Sequence, residues 1–173
     1  MKSAFLTHFQ RLETSRKDLF QQLIPYSAEN LNRKRADGGW SAIQVIHHLI
    51  QAETGTLAYL QKKTKDISQV PQAGFLHSVR SFLLTLFLKS PIKFKAPPFT
   101  AELPETASLQ ESAEKWERTR AALLQLCLSL PEDAIEKELF RHPFAGRMNL
   151  IQMLDFFDAH FERHFGQIMR VLK

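Results

Sequence analysis

Residues 39–53 read GWSAIQVIHHLIQAE, and this stretch decides the fold class of the chain. Ser41 followed three positions later by Gln44 is a capping box, in which each side chain bonds the other residue's backbone N–H at a helix start. Behind the box, apolar residues recur at intervals of three and four, as on one face of an α-helix: Ile46, Leu49, Ile50, Leu57 and Leu60. The stretch therefore predicts a long amphipathic helix from about Ser41 to about Lys63.

Three more segments show the same helical spacing. They run from about Ser3 to Leu23, from a second capping box at Ser108 and Glu111 to just before Pro131, and from near Asn149 to the C-terminus. Between the four segments we expect a connection at 26–39, a helix at 74–88, a proline-rich stretch from Pro91 to Pro104, and a hairpin-like turn at 136–148. We therefore predict an all-α protein, a four-helix bundle with a short extra helix and a hairpin-like turn before the last helix, forming a single domain over residues 1–173.

Composition limits the class of protein. The chain has 173 residues, a net charge of +5 and one cysteine, Cys127, and no signal-peptide pattern opens it. Positive residues group at 33–35, 62–65 and 89–95, where we expect helix ends and loops, and no nucleic-acid recognition motif accompanies them. The longest apolar run, at 82–88, is far shorter than the roughly 20 residues that span a bilayer. We expect a cytoplasmic protein with a buried thiol that binds neither nucleic acid nor membrane.

The last predicted helix carries the sharpest chemical pattern, Asp158-Ala-His160-Phe-Glu-Arg-His164-Phe-Gly-Gln167. Two histidines four positions apart lie on neighbouring turns of one helix face, so both imidazoles can reach one metal ion. Both flank the apolar stripe of this helix and so face the bundle, and Gln167 lies on the same flank as a supporting partner. The spacing alone leaves two interpretations open, metal ligands or ordinary surface and core histidines.

A metal site inside a bundle needs ligands from a facing helix, and the segment after Ser41 supplies His47 and His48. Helical periodicity does not choose between them, because both lie off the centre of the apolar stripe. Glu53 falls near the middle of that stripe, where a carboxylate needs a partner. We interpret Glu53 as a member of a core ion pair or as a group that supports the site, and keep a catalytic base as an alternative.

Three segments together resemble the DinB/YfiT-like superfamily. They are the stretch at 39–53, the turn from His142 to Gly146, and the final pattern of two histidines, a glutamine and Ile168. In this family a Trp-Ser pair opens the second helix and a His-Leu pair follows after a fixed gap. The resemblance spans Trp40 to Ile168, and its middle section is weakly matched. It implies that His48 joins His160 and His164 as ligands of a divalent metal, zinc or nickel.

The same resemblance implies a catalytic bundle that is often a dimer and acts on a small molecule. Relatives include metal-dependent hydrolase-like proteins and transferases that use a low-molecular-weight thiol, so both reaction types stay open. A non-catalytic metal- or ligand-binding bundle and a purely structural protein are the alternatives. The family name refers to expression after DNA damage and implies no DNA binding. We interpret the apolar segment from Phe75 to Leu88 as ordinary packing against the bundle, with a dimer face or a lid as alternatives.

Overall fold

The computed structural model describes residues 2–90 and 102–173, and this part of the chain is mostly helical. Its α-helices and one β-hairpin are, in chain order, α1 (Lys2–Leu23), α2 (Ala28–Asn32), α3 (Ala42–Lys63), α4 (Phe75–Lys89), α5 (Leu109–Ser129), β1 (Phe140–His142), β2 (Gly146–Met148) and α6 (Leu150–Val171). Short 3-10 helices, Thr64–Gln69 and Glu132–Glu136, follow α3 and α5. Most of the predicted proline-rich stretch, 91–101, lies outside the described residues.

Side-chain caps explain where the long helices begin. Ser41 Oγ accepts the N–H of Gln44 at 3.2 Å, and Gln44 Oε1 accepts the N–H of Ser41 at 3.1 Å. The predicted box that opens α5 also forms, and Asn149 closes a third box with Gln152 at the start of α6. Each box satisfies backbone N–H groups that a helix start leaves unpaired, so these polar residues fix the starts of three helices.

The connection between α1 and α3 contains a short helix that the sequence pattern does not predict. Ser27 caps α2, since its side chain accepts the N–H of Asn30 at 3.2 Å. The helix has only five residues, which is too short for a helical period of apolar residues to be visible. Leu31, its one buried residue, anchors α2 to the core.

The four long helices form a bundle, as predicted. α3 packs against α5 and α6, and α1 packs against the same two helices from the other side. The helices therefore follow one another around the bundle in the order α1, α5, α3, α6. This arrangement makes α3 and α6 neighbours along a shared groove.

Two apolar clusters fill the bundle, one toward each end. The first includes Phe5, Leu60, Leu123 and Leu154, and the second includes Leu19, Ile46, Trp116 and Phe161. Apolar burial of this kind is the main favourable contribution to folding. Along every long helix, the residues of one cluster give way to those of the other near the middle of the bundle.

A buried layer of charges lies between the two clusters. Arg120 on α5 donates through Nε and Nη2 to the two carboxylate oxygens of Glu53 on α3, at 2.9 and 2.8 Å. Its Nη1 donates to Glu13 Oε1 on α1 at 3.1 Å, and Arg16 donates to the other Glu13 oxygen at 3.0 Å. These bonds tie three helices together and confirm the interpretation of Glu53 as a member of a core ion pair.

A β-hairpin precedes α6, as the sequence indicates. Phe140 pairs with Met148 and His142 with Gly146 in a two-stranded antiparallel ladder. Gly146 has φ of +79°, in the left-handed region that glycine adopts without steric cost. The glycine therefore allows the chain to reverse tightly between the two strands.

Helix α4 packs on the outside of the bundle against α6 and the hairpin. It buries Ser81 and Leu84, but most of its apolar side chains are exposed. Together with the hairpin residue Phe144 they form what we call the outer face: Leu76, Val79, Phe82, Leu83, Leu86, Phe87 and Phe144. The interpretation of this segment as ordinary packing is therefore wrong for most of its apolar residues, because α4 meets the bundle along only one narrow side.

Across the described residues, no helix combines the length and the apolar character that a membrane crossing requires.

Candidate metal centre

The groove between α3 and α6 brings three histidines together. His48 projects from α3, while His160 and His164 project from successive turns of α6. The Nε2 atoms of His48 and His160 are 3.2 Å apart. The ring centroid of His164 lies 4.8 Å from that of His48 and 4.6 Å from that of His160. One nitrogen of each ring can be chosen so that all three nitrogens lie within 4.8 Å of one another.

Burial keeps these imidazoles neutral. His160 is buried, and His48 and His164 are half-buried at the rim of the groove. Burial lowers the pKa of His48, lowers that of His164 to about 4, and holds that of His160 well below its usual range. The neighbouring imidazoles lower the pKa values of His160 and His164 further, since a second positive charge in the groove is unfavourable. At neutral pH each ring therefore offers an unshared electron pair.

Neighbouring side chains fix the three rings. Gln167 Oε1 lies 2.8 Å from His164 Nδ1 and accepts a hydrogen bond from its N–H, which leaves the electron pair of that ring on Nε2. Phe156 stacks on His160 with a centroid distance of 5.2 Å and an interplanar angle of 15°. The Trp40 ring lies 5.1 Å from the His48 ring. Gln167 thus hydrogen-bonds His164 from the flank of α6 on which the sequence places it, and its role as a support for a metal ligand stays a prediction.

The adjacent histidine, His47, is directed elsewhere. Its Nε2 is 3.1 Å from Ser112 Oγ on α5, so it faces the other neighbour of α3. Glu53 is not in the group either, since both its carboxylate oxygens bond Arg120 in the buried charge layer. Of the residues considered from the sequence, the structure therefore groups His48 with His160 and His164, and separates His47 and Glu53 from them.

The comparison with protein families agrees with this arrangement. Residues 11–168 match the model of the DinB superfamily, which is nearly the whole chain. The chain belongs to the DinB superfamily. The resemblance that the motifs indicate is therefore confirmed.

Two relatives place this DinB chain among known proteins. It is 24% identical over 157 residues to the uncharacterised protein YuaE of Bacillus subtilis (strain 168), which covers 91% of this chain and 92% of the relative. Its structure resembles that of YfiT from Bacillus subtilis, described as a probable metal-dependent hydrolase with an unusual four-helix bundle topology. That match has a TM-score of 0.59 and 20% identity, and covers 99% of this chain and 87% of YfiT, so it establishes the shared fold.

The residues of this DinB chain fit a divalent metal ion. Neutral imidazole is a common ligand of such ions. Two nitrogens bound to one tetrahedral zinc at about 2.05 Å lie about 3.3 Å apart, close to the 3.2 Å between the Nε2 atoms of His48 and His160. In addition, the His48 Nδ1 atom is buried without a hydrogen-bond partner in the described part of the chain. The three imidazole donors and the spacing of these two nitrogens therefore fit a divalent ion.

Sequence reasoning did not find His142, which lies behind the groove of this DinB chain. The His142 ring contacts Phe156 at 4.6 Å between centroids, and Phe156 in turn stacks on His160. Its Nδ1 accepts the N–H groups of Phe144 and Ala145, each at 3.2 Å. His142 therefore shapes the hairpin turn whose strand supports Phe156. Its position at the start of the turn from His142 to Gly146 could have indicated this role, since a histidine there can accept backbone N–H groups of the turn.

Proposed function

We propose that this protein is a metal-dependent hydrolase of a small molecule, with a divalent ion held by His48, His160 and His164. The observation that carries the proposal is the convergence of three neutral imidazoles in a half-buried groove. The description of YfiT as a probable metal-dependent hydrolase supports the same reaction class. Zinc and nickel are the ions we expect, because both accept imidazole ligands. Three protein ligands leave a coordination position for substrate, as catalytic zinc sites do.

An ion of this kind, when bound, supplies Lewis-acid chemistry that polarises a substrate oxygen and lowers the pKa of water or of a thiol. The residues of the chain prepare the site for it. Burial keeps the three imidazoles neutral, so none must lose a proton before it binds. Gln167 directs the electron pair of His164 to Nε2, and the rings of Phe156 and Trp40 cover His160 and His48.

Transfer of a low-molecular-weight thiol is the second candidate. The hydrogen bonds and ring contacts described above for the three imidazoles, with Trp40, Phe156 and Gln167, involve no carboxylate that could take a proton from water. A thiol needs less help, because its ordinary pKa is about 8.5. The chain's own Cys127 cannot be that thiol, since burial raises its pKa to about 12. Small thiols are abundant in reducing compartments, where an unpaired cysteine also stays reduced, so we propose a cytoplasmic location.

The test begins with metal content. We expect untagged protein to contain about one zinc or nickel ion per chain by elemental analysis. His48→Ala and His160→Ala should each remove the ion, while His47→Ala should retain it. His47 is the matched control, because it has the same residue type and the neighbouring position on α3 but bonds Ser112. Loaded protein is then assayed with esters and amides, and separately with a small thiol plus an electrophile.

The outcomes separate the hypotheses. Cleavage of an ester or amide that is lost in His160→Ala supports the hydrolase, and thiol consumption with the same dependence supports the transferase. Stoichiometric metal without turnover in either assay identifies a non-catalytic metal-binding bundle. Absence of metal even after reconstitution shows that the three histidines are packing residues, and overturns the proposal.

We further propose that the partner of this protein is a second copy of the same chain, docked on the outer face. Its seven apolar side chains are between 38% and 81% exposed. At roughly 170 Å² for each fully exposed side chain, they present on the order of 700 Å² of apolar surface. That exceeds the largest patch of an ordinary monomer and approaches the roughly 800 Å² per partner of a standard interface.

The charges beside the outer face favour self-association and indicate its geometry. Asp155 and Asp158 line the cleft on the Phe82 side of α4. Arg80 lies on the opposite side, with Phe144. A two-fold axis running along α4 brings the acidic flank of one copy against the basic flank of the other. An axis perpendicular to α4 within the interface would instead bring like charges together.

A further inference from the structure

A second glutamine, Gln51, stands in the same sequence relation to the metal centre as Gln167. The sequence His164-Phe-Gly-Gln167 on α6 has the spacing of His48-Leu-Ile-Gln51 on α3. On a helix, residues three apart are neighbours on one face, so a glutamine there can reach the imidazole one turn before it. On α6 this contact is formed, at 2.8 Å between His164 Nδ1 and Gln167 Oε1.

On α3 the corresponding two atoms are both unsatisfied. His48 Nδ1 and Gln51 Oε1 are buried, and neither has a hydrogen-bond partner in the part of the chain that the structure describes. Leaving buried polar atoms unpaired costs free energy. These two unpaired atoms belong to residues about one turn apart on the same face of α3. An amide oxygen only accepts hydrogen bonds, so the pair is complementary when His48 carries its hydrogen on Nδ1.

We infer that Gln51 is a positioning residue for His48, and that its Oε1 accepts the Nδ1 hydrogen of His48 when the site is loaded. In the present arrangement the Nε2 atoms of His48 and His160 bond each other, so one of them carries a hydrogen. A site with three imidazole ligands needs all three Nε2 electron pairs free. The hydrogen of each ring then resides on Nδ1, and Gln51, three residues further along α3, carries an unpaired acceptor on the same face of the helix as His48. This inference rests on the proposed metal site.

The NH₂ group of the Gln51 amide already has a hydrogen-bond partner. Its Nε2 donates to the backbone carbonyl of Glu102 at 3.3 Å. Because that bond engages the NH₂ end of the amide, Oε1 is left as the end available to His48. Gln167 and Gln51 would then act as matched supports, one for the ligand on α6 and one for a ligand on α3.

The test compares zinc affinity in matched variants. Zinc dissociation constants are measured by competition with a chromophoric chelator for the wild type, Gln51→Leu, Gln51→Glu, Gln167→Leu and Gln61→Leu. Gln61 is the control, an exposed glutamine on the same helix. Loss of a partner that orients a ligand weakens metal binding about 10- to 100-fold, so we expect Gln51→Leu and Gln167→Leu to fall in this range. Gln51→Glu keeps an acceptor oxygen but loses the donor to Glu102, so we expect it to bind zinc more tightly than Gln51→Leu.

A second readout reports the hydrogen itself. In zinc-loaded wild type, long-range ¹H–¹⁵N spectra should place the His48 hydrogen on Nδ1 with slowed solvent exchange, and Gln51→Leu should lose that protection. Melting temperatures without zinc identify any general loss of stability, and the Gln51→Glu variant keeps the test decisive if Gln51→Leu folds poorly.

The outcomes distinguish this inference from the proposed function. If the wild type binds no zinc or nickel, the metal centre itself is wrong and the inference falls with it. If the wild type and Gln61→Leu bind zinc tightly and Gln51→Leu binds equally tightly, Gln51 has no positioning role and the metal centre stands. Binding that is weakened equally in Gln51→Leu and Gln51→Glu also overturns the inference, because the acceptor oxygen would then not be what matters.

Discussion

At the scale of single residues, His142 is a buried group whose protonation would remove the acceptor of two backbone hydrogen bonds. Its Nδ1 accepts two backbone N–H groups of the hairpin turn, and its ring packs on Phe156. Burial lowers its pKa from 6.5 to about 4. Between these two values the unfolded chain binds a proton that the folded chain does not, so stability falls as the pH drops from about 6.5 to about 4.

We predict that His142→Asn removes this contribution, because an asparagine oxygen can accept the same N–H groups without titrating. The contribution lost in the wild type is on the order of 3 kcal/mol, at about 1.4 kcal/mol per pKa unit. Urea unfolding of metal-free protein at pH 7 and at pH 4.5 measures it. The variant should lose less stability on acidification than the wild type, and an equal loss would show that His142 does not titrate in this way.

The candidate ligands show what a sequence can predict at this scale. The spacing of His160 and His164 places them on one face of α6, and the structure bears this out. The choice between His47 and His48 depends on which neighbour each side of α3 faces. His47 meets α5 and His48 meets α6, and helix neighbours follow from tertiary packing, which periodicity within one helix does not contain.

At the scale of helices, the buried charge layer joins α1, α3 and α5 by hydrogen bonds between charged side chains. Glu53 and Arg120 bond each other through two parallel hydrogen bonds, each side chain with 5% or less exposed. A buried pair of this kind is costly to break from one side, because the remaining charge has no solvent. Rotating α3 relative to α5 would therefore leave both charges buried and unpaired.

We predict that Glu53→Leu lowers the free energy of unfolding by about 3–5 kcal/mol, since it leaves Arg120 buried without its main partner. The double variant Glu53→Leu with Arg120→Met should recover most of that loss, because no unpaired charge remains. Urea unfolding of both variants measures the difference. A loss below 1 kcal/mol in the single variant would mean that Glu13 alone satisfies Arg120. Metal content is measured on the same variant, and a value equal to that of the wild type would show that Glu53 has no part in the histidine centre.

Helix ends can be predicted from the sequence where local side-chain hydrogen bonds cap them. The capping boxes at Ser41 and Ser108 predict the starts of α3 and α5 because the bonds are local. Arg120 was not singled out, since an arginine on an amphipathic helix is usually exposed and its burial depends on Glu53 across the bundle. For α4, its apolar residues predict a helix but not which of its sides meets the bundle.

At the scale of the whole molecule, the outer face should determine the oligomeric state. We predict that the protein has twice the 20.0 kDa mass of one chain in solution. Leu83→Glu should yield a monomer, because it places a charge in the middle of the apolar surface. Ile24→Glu is the matched control, an equally bulky side chain that is 63% exposed outside the outer face. Light scattering after size-exclusion chromatography measures the mass, and a dimeric Leu83→Glu protein would place the interface elsewhere.

The direction of α4 in the dimer can be tested separately. Leu76 and Leu86 are ten residues apart, about 15 Å along the helix. If the two-fold axis runs along α4, Leu76→Cys and Leu86→Cys should each form a disulfide with their own copy under mild oxidation. If the helices run antiparallel, only a mixture of the two variants should cross-link. The second result would contradict the charge argument for the parallel arrangement.

The labelling rate of Cys127 can report on opening of the core. The thiol is 3% exposed in the apolar cluster that includes Leu123, and burial raises its pKa to about 12. A thiol-specific reagent at neutral pH therefore reaches it only when that end of the bundle opens. The rate at which Cys127 is labelled therefore reports how often the core opens, and no introduced cysteine is needed for it. A cysteine introduced at Ile24, which is 63% exposed and lies outside the outer face, reacts quickly by comparison, so a brief pulse of reagent marks the surface and a long exposure reports on the interior.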